Sequence, residues 1–360
     1  MKAFALTVGT LWDGRIQVWV QVANGFQSKH KASTEPGAPW TEWKDYPMPS
    51  GFQVSNLPCA FPVAGGNLNV FCNAQQIYKA DNPDSLVAKG PSTIMFKTEY
   101  NPGGTSDWAP WWGTPPGSVL LGGWTEGGQL NIPPIGYAGG YPSQALWAKT
   151  DKGIVYVSKS IGDGSMGPFV KFMPPPPTSL LWTLYSSNNS DQNTMAVGGE
   201  AFWWTGTDIN ETPGEGQPYL TLYWFTESGW KEFSPALPKA TGGVASLAAG
   251  VIADSPAQVF ASDVNGDLWT IWQKYDQTKM SWFWLPEWLS FPLPGGHKLP
   301  SLAPGSLDFA LPSLARNVLA AAQTVTGELQ LFALDENGTV WTIWKKSAEP
   351  GASWSEWVTF

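Results

Sequence analysis

Gln258-Val259-Phe260-Ala261-Ser262-Asp263-Val264-Asn265-Gly266-Asp267-Leu268-Trp269-Thr270-Ile271-Trp272 recurs without a gap as Gln330-Leu331-Phe332-Ala333-Leu334-Asp335-Glu336-Asn337-Gly338-Thr339-Val340-Trp341-Thr342-Ile343-Trp344. Ten of the 15 positions are identical, from Gln258/Gln330 through the Asn-Gly pair to Trp272/Trp344, always 72 residues apart. A weaker copy opens the chain: Gly14-Arg15-Ile16-Gln17-Val18-Trp19 aligns with Gly327 to Phe332, and Asn24-Gly25 with Asn337-Gly338. Asn-Gly tolerates the left-handed backbone of a tight hairpin, and the flanking Val, Leu, Ile, Phe, Trp and Thr are strand formers. The last copy therefore predicts four strands, near Val318–Thr324, Glu328–Leu334, Thr339–Lys345 and Ser353–Thr359.

After each such unit comes an aromatic phrase. It is clearest as Trp40-Thr41-Glu42-Trp43, Trp230-Lys231-Glu232-Phe233 and Trp354-Ser355-Glu356-Trp357. Looser versions are Trp108-Ala109-Pro110-Trp111, Phe169-Val170-Lys171-Phe172 and the stretch from Trp282 to Trp288. The six copies are spaced by 68, 61, 61, 52 and 72 residues. A repeated four-stranded antiparallel unit of this size is a propeller blade. The expectation is an all-β, six-bladed β-propeller with four antiparallel strands per blade, seven blades staying open as the alternative count. Residues 1–360 would form one domain, with blades near 1–50, 51–116, 117–178, 179–240, 241–295 and 296–360. The segments 112–140, 205–217 and 296–312 read as surface insertions.

Composition agrees. Of 360 residues, 39 are Gly and 32 Pro, which punctuate turns and stop helices. The 23 Trp suit half-buried positions, because indole has a broad apolar face and one polar atom. The formal charge is −9, and Arg15 and Arg316 are the two arginines, so neither nucleic acid nor membrane insertion is expected. Met1 to Leu6 reads as a strand rather than a signal peptide, leaving localisation open between cytoplasmic and non-classically secreted. Oligomeric state is open too. Cys59 and Cys72 flank a turn expected at Gly65-Gly66, which would set them opposite each other, as a disulfide or as two buried thiols.

Catalysis finds little support. A sialidase would clamp a carboxylate with three arginines, and the Asp-Glu-Asn-Gly-Thr run at 335–339 misses the Asp-box spacing. The acids are spread over equivalent repeat positions rather than paired in one cleft. His30 and His297 have no metal-ligand or triad company. Asp263 to Asp267 lacks the spacing of an EF-hand and reads as a hairpin turn. No enzyme activity, cofactor or metal is expected.

Binding finds more. On a continuous strand Trp354 and Glu356 share one face, as do Trp40 with Glu42 and Trp230 with Glu232, while the last Trp faces away to pack the blade. A ring stacks on the C–H face of a pyranose, and a sheltered carboxylate accepts from hydroxyls for about 1.5–3 kcal/mol each. Repetition on a rigid ring adds avidity. The candidate sugar-binding residues are Trp40, Glu42, Trp230, Glu232, Trp282, Trp354 and Glu356.

The consensus Gln-Val-Phe-Ala-x-x-x-Asn-Gly-x-Leu-Trp-x-Ile-Trp, followed by Pro-Gly-x-x-Trp-Ser-x-Trp, resembles the tectonin-like propeller lectins, most closely the Photorhabdus type. The resemblance is strong over 258–291 and 313–360, fair over 1–49 and faint over 60–240. It implies glycan or glycoprotein partners bound in clefts between blades, with fucose, galactose or methylated sugars as ligands. Photorhabdus-type lectins usually have seven blades. Fungal lectins of the Aleuria type have six but place an Arg in each site, which two arginines cannot supply. The alternative function is a protein-interaction propeller or the receptor-binding module of a secreted toxin.

Overall fold

The computed structural model describes residues 2–11, 13–62, 68–79, 86–99, 108–113, 136–138, 145–149, 155–159, 170–173, 180–184, 201–207, 218–226, 229–233, 244–251, 257–263, 265–279, 281–301, 318–349 and 351–360. Their strands form six antiparallel sheets in sequence order. Sheet 1 is β1 (Ala5–Thr10), β2 (Ile16–Val22), β3 (Gly25–His30) and β4 (Lys44–Pro47). Sheet 2 is β5 (Phe52–Pro62), β6 (Leu68–Lys79), β7 (Leu86–Thr98) and β8 (Trp112–Gly113). Sheet 3 is β9 (Gly136–Ala138), β10 (Ala145–Lys149), β11 (Val155–Lys159) and β12 (Val170–Met173). Sheet 4 is β13 (Leu180–Leu184), β14 (Ala201–Thr207), β15 (Pro218–Thr226) and β16 (Gly229–Phe233). Sheet 5 is β17 (Val244–Val251), β18 (Ala257–Asp263), β19 (Leu268–Asp276), β20 (Ser281–Trp284) and the short β21 (Leu289–Ser290), which also pairs with β19. Sheet 6 is β22 (Leu319–Gln323), β23 (Leu329–Leu334), β24 (Val340–Trp344) and β25 (Val358–Thr359).

The first strand of each sheet lies against the first strand of the next: β1 on β5, β5 on β9, β9 on β13, β13 on β17, β17 on β22, and β22 on β1. Sheets 1 and 6 keep separate ladders, with β1 pairing β2 and β25 pairing β24. Alternation then assigns the two faces of sheet 1. Val18 and Val20 join Leu331, Phe332 and Phe260 in a core that runs through sheets 5, 6 and 1. Trp19, between them, belongs to a second core with Tyr46, Val70, Cys72 and Met95. Small residues seat the neighbouring sheet: a Cβ on Gly9 would stand 2.3 Å from Leu68 Cδ1, and one on Gly250 2.2 Å from Leu329 Cδ1.

The hairpin that decides the repeat is held by one aspartate. Asp263 Oδ1 accepts the N–H groups of Asn265 (2.8 Å) and Asp267 (3.0 Å), and its Oδ2 accepts Trp269 Nε1–H (3.0 Å). Asp335 does the same for Asn337 (2.9 Å), Thr339 (2.8 Å) and Trp341 (3.0 Å). Both carboxylates are buried, each accepts from three protein donors, and Asp335 Oδ2 also lies 3.3 Å from His297 Nδ1. Gly266 takes φ +80°, and a Cβ there would meet Leu299 O at 2.1 Å, so the turn needs glycine on two counts.

Three expectations change. Cys59 pairs with Phe71, one step short of Cys72, because the ladder runs without a break from Pro62 opposite Leu68, which puts an odd rather than an even number of residues in the connection. A one-residue slip reverses the faces, so Cys59 and Cys72 are not cross-strand partners, and Cys72 is buried in the second core. The expected Gly65-Gly66 turn lies outside the described residues. Second, the expected insertions overlap strands at Trp112–Gly113, Gly136–Ala138 and in β14; 114–135, 208–217 and 302–317 lie outside the described residues. Third, the expected fourth strand from Ser353 is broken. Trp354 makes a single bridge to Lys345, residues 355–357 leave the ladder, and pairing resumes at Val358. The cause is local. Ser355 Oγ accepts Trp344 N–H at 3.1 Å, taking the donor that a continuing strand would use. Thr41 Oγ1 accepts His30 N–H at 3.1 Å in the same way.

Candidate functional site

Because the chain leaves the ladder inside the phrases at 40–43 and 354–357, the strand rule that set Trp and Glu on one face does not apply there, whereas Trp230 and Glu232 stay on an unbroken strand. Trp40 and Trp43 both pack toward sheet 6, and Trp354 and Trp357 both toward sheet 5. The Glu between each pair is exposed.

The result is an aromatic cluster between neighbouring sheets, seen at three junctions among the described residues. Between sheets 6 and 1, Trp40 lies flat on Phe360 (4.4 Å between centroids, 5° between planes) and edge-on to Phe332 (5.9 Å). Between sheets 1 and 2, Trp108 sets its edge against Trp19 (4.7 Å) and Tyr46 (6.3 Å). Between sheets 5 and 6, Trp354 meets Phe260 (5.8 Å) and Phe291 (5.2 Å). Phe360, Tyr46 and Phe291 each follow the second Trp of their own phrase by three residues, at Trp357, Trp43 and Trp288. The aromatic that closes one repeat thus packs against the first Trp of the next phrase.

Lysines sit against these rings. Lys29 Nζ sits over the rings of Trp43 (4.9 Å) and Phe360 (4.6 Å), and Lys97 Nζ over Tyr46 (5.5 Å) and Trp111 (5.3 Å). Lys345 Nζ sits 4.8 Å over Trp354 and donates to Ala352 O at 2.8 Å. Lys31, 1% exposed, donates to Pro36 O at 2.6 Å. Burial pushes the Lys31 ammonium down to about 8, although Glu328 and Glu35 favour its charge. Burial also lowers Lys29, against the pull of Glu42, and lowers Lys345. Burial raises the Tyr46 hydroxyl to about 12, against a hydrogen bond with Ser28.

Trp40 and Trp354 thus lie half-buried at two sheet junctions, and Glu42 and Glu356, two residues further along the chain, are exposed. Trp282 does not take the corresponding place. It pairs with Tyr275 on an outer extension, whereas Trp284 pairs with Gln273, the position equivalent to Lys345. Leu285 N–H donates to Trp272 O as Ser355 N–H does to Trp344 O, so Trp284 is the register equivalent of Trp354. Glu287, exposed before buried Trp288, then matches Glu42 and Glu356. The signal was present: the acid directly precedes the second Trp in each case, and a one-residue insertion separates it from the first. Trp230 and Glu232 lie on β16, opposite Phe225 and Tyr223; their side chains lie outside the described residues. Phe169 lies outside them too. Among the described residues no three His, Cys, Asp or Glu converge as a metal site.

No protein-family model matches the sequence, and none of the curated proteins matches it. Solved structures do match in fold. The fucose-specific lectin of Aleuria aurantia aligns with 99% of this chain and 97% of its own at a TM-score of 0.56 and 13% identity. A structure of that lectin is described as a six-bladed β-propeller. AofleA from Arthrobotrys oligospora aligns with 100% of this chain and 86% of its own, at 0.55 and 9%. The NanB sialidase of Streptococcus pneumoniae, in its K499G mutant, aligns with 92% of this chain at 0.55 and 10%; the chain spans 65% of the sialidase's length. At these identities the likeness is one of fold: mostly antiparallel β-structure, with six-bladed β-propeller lectins among its neighbours.

Proposed function

We propose that the six sheets close into one six-bladed propeller and that the protein is a non-catalytic, multivalent lectin, binding glycans in the clefts between blades. The cyclic contacts of the first strands support the closure. The observation that carries the function is the repeated aromatic cluster at a sheet junction with an exposed carboxylate two residues after its Trp, at Glu42 and Glu356. Such a pairing offers a stacking surface and a hydroxyl acceptor together. The floor rings are Trp40 and Trp354; Trp43 and Trp357 stand beside the acids. Trp284 with Glu287, and Trp230 with Glu232, extend the set. Neutral sugars such as fucose, galactose or methylated sugars suit the clefts that carry Glu.

A glycan array with the intact protein, and with Trp357→Ala and Glu356→Ala controls, tests this. Binding that weakens in both variants is expected; no binding to any sugar at millimolar monosaccharide sinks the proposal. The protein-interaction alternative draws on Tyr275, Phe283 and Leu289, which are exposed on the outer strands of sheet 5.

A further inference from the structure

The three clefts are built alike but charged differently. Position 29 of sheet 1 is Lys29, the equivalent position of sheet 2 is Lys97, and that of sheet 6 is Ile343. The rim position that holds Glu42 and Glu356 is Pro110 in the cleft between sheets 1 and 2. That cleft therefore keeps the lysine and lacks the acid.

Lys97 is 7% exposed, so its ammonium has lost most of its water. Among the described residues it meets the carbonyl of Ala109, at 2.6 Å, and the faces of Tyr46 and Trp111. A second ammonium, Lys44 Nζ, lies 5.7 Å from the centre of the same Tyr46 ring and is solvent-exposed. Burial, and then the Lys44 charge, hold Lys97 below the usual lysine range. Lys29 and Lys31, by contrast, feel Glu42 and Glu328. The described carboxylate on the same strand face is Glu99, which is buried and accepts Leu68 N–H at 3.1 Å. A desolvated cation beside a like charge gains most from an added anion.

Resting on the lectin reading above, we propose that the cleft between sheets 1 and 2 is an anion-selective subsite that takes a carboxylate- or sulfate-bearing saccharide. Its ring stacks against half-buried Trp111, and its anionic group sits at Lys97 and Lys44. The cleft between sheets 5 and 6, with Ile343 and Glu356, prefers the neutral sugar.

The test is calorimetric titration of the full chain with methyl glucoside, methyl glucuronide and a sulfated methyl glucoside. The wild type is expected to bind the glucuronide or the sulfated sugar about tenfold more tightly than the glucoside. The preference should vanish in Lys97→Met, shrink in Lys44→Met and fall in about 0.5 M NaCl. The two anionic arms tell carboxylate from sulfate selectivity. Should Lys97→Met not fold, as read by near-UV circular dichroism, exposed Lys44→Met decides by the same comparison. Equal affinity for charged and neutral sugars, unchanged in the variants, overturns the subsite and leaves the lectin standing. Failure of all three sugars to bind overturns the subsite; the lectin reading falls with it only if the glycan array also finds no sugar bound.

Discussion

Trp40 of the first sheet and Phe360 of the last lie face to face, 4.4 Å apart and 5° from parallel. The residues are 320 positions apart in sequence (360 − 40). A stacked pair is worth about 0.5–1.5 kcal/mol beyond the area it buries. A double-mutant cycle of Trp40→Ala and Phe360→Ala, read by denaturant unfolding, should return a coupling of that size. Additive losses would mean that the rings do not touch in solution.

The hairpin aspartates should behave as structural groups. Asp335→Ala leaves two N–H groups and the Trp341 indole without their acceptor. A loss of about 3 kcal/mol or more is expected, since each buried unsatisfied donor costs about 1–3 kcal/mol. The same geometry says that chelation by EDTA or addition of calcium leaves the thermal midpoint unchanged. A calcium-dependent rise would contradict the assignment of those oxygens to protein donors.

Lys31 should make stability depend on alkaline pH. Its folded pKa, about 8, lies below the ordinary 10.5. Between those values the unfolded chain holds the proton and the folded one releases it, so stability rises with pH. Below about pH 8 both states are protonated and the penalty of burying the charge is present in full. Relative to Lys31→Met, the wild type should gain at most about 1.4 kcal/mol per pH unit from pH 8 upward. Parallel pH profiles for the two proteins would remove Lys31 as the cause.

The close approach at Gly9 sets a packing test. Gly9→Ala places a methyl group against Leu68, which is fully buried and has no free direction. Overpacking of this kind costs about 1–3 kcal/mol. Gly51→Ala, where a Cβ meets nothing within 4 Å, is the reference for left-handed strain without a clash. A smaller loss at Gly9 than at Gly51 would show that sheets 1 and 2 are less tightly apposed.

Much of the fold was legible because its signals are local. Asn265-Gly266 and Asn337-Gly338 set tight turns, the apolar alternation of Ile16 to Val20 sets a two-faced strand, and the 72-residue echo declares the repeat. What misled was also local but finer. The Ser355 and Thr41 hydroxyls compete for a strand N–H and end the ladder where pattern alone continues it. A ladder that closes at Pro62 opposite Leu68 set Cys59 one residue off Cys72, and one inserted residue hid Trp284 behind Trp282.

The clefts belong to a different order. Sequence by itself determined that four-stranded units repeat and that each carries a Trp-rich phrase, since strand period, turn chemistry and repetition are written within a few residues. Only the tertiary structure decided what those tryptophans face. Trp40 meets Phe360, Trp108 meets Tyr46, and Lys97 comes to rest between Tyr46 and Trp111, because each cleft is made by side chains from two neighbouring sheets. A lysine on a strand reads as solvated until another sheet covers it, and the desolvation that gives Lys97 its character exists only at that junction.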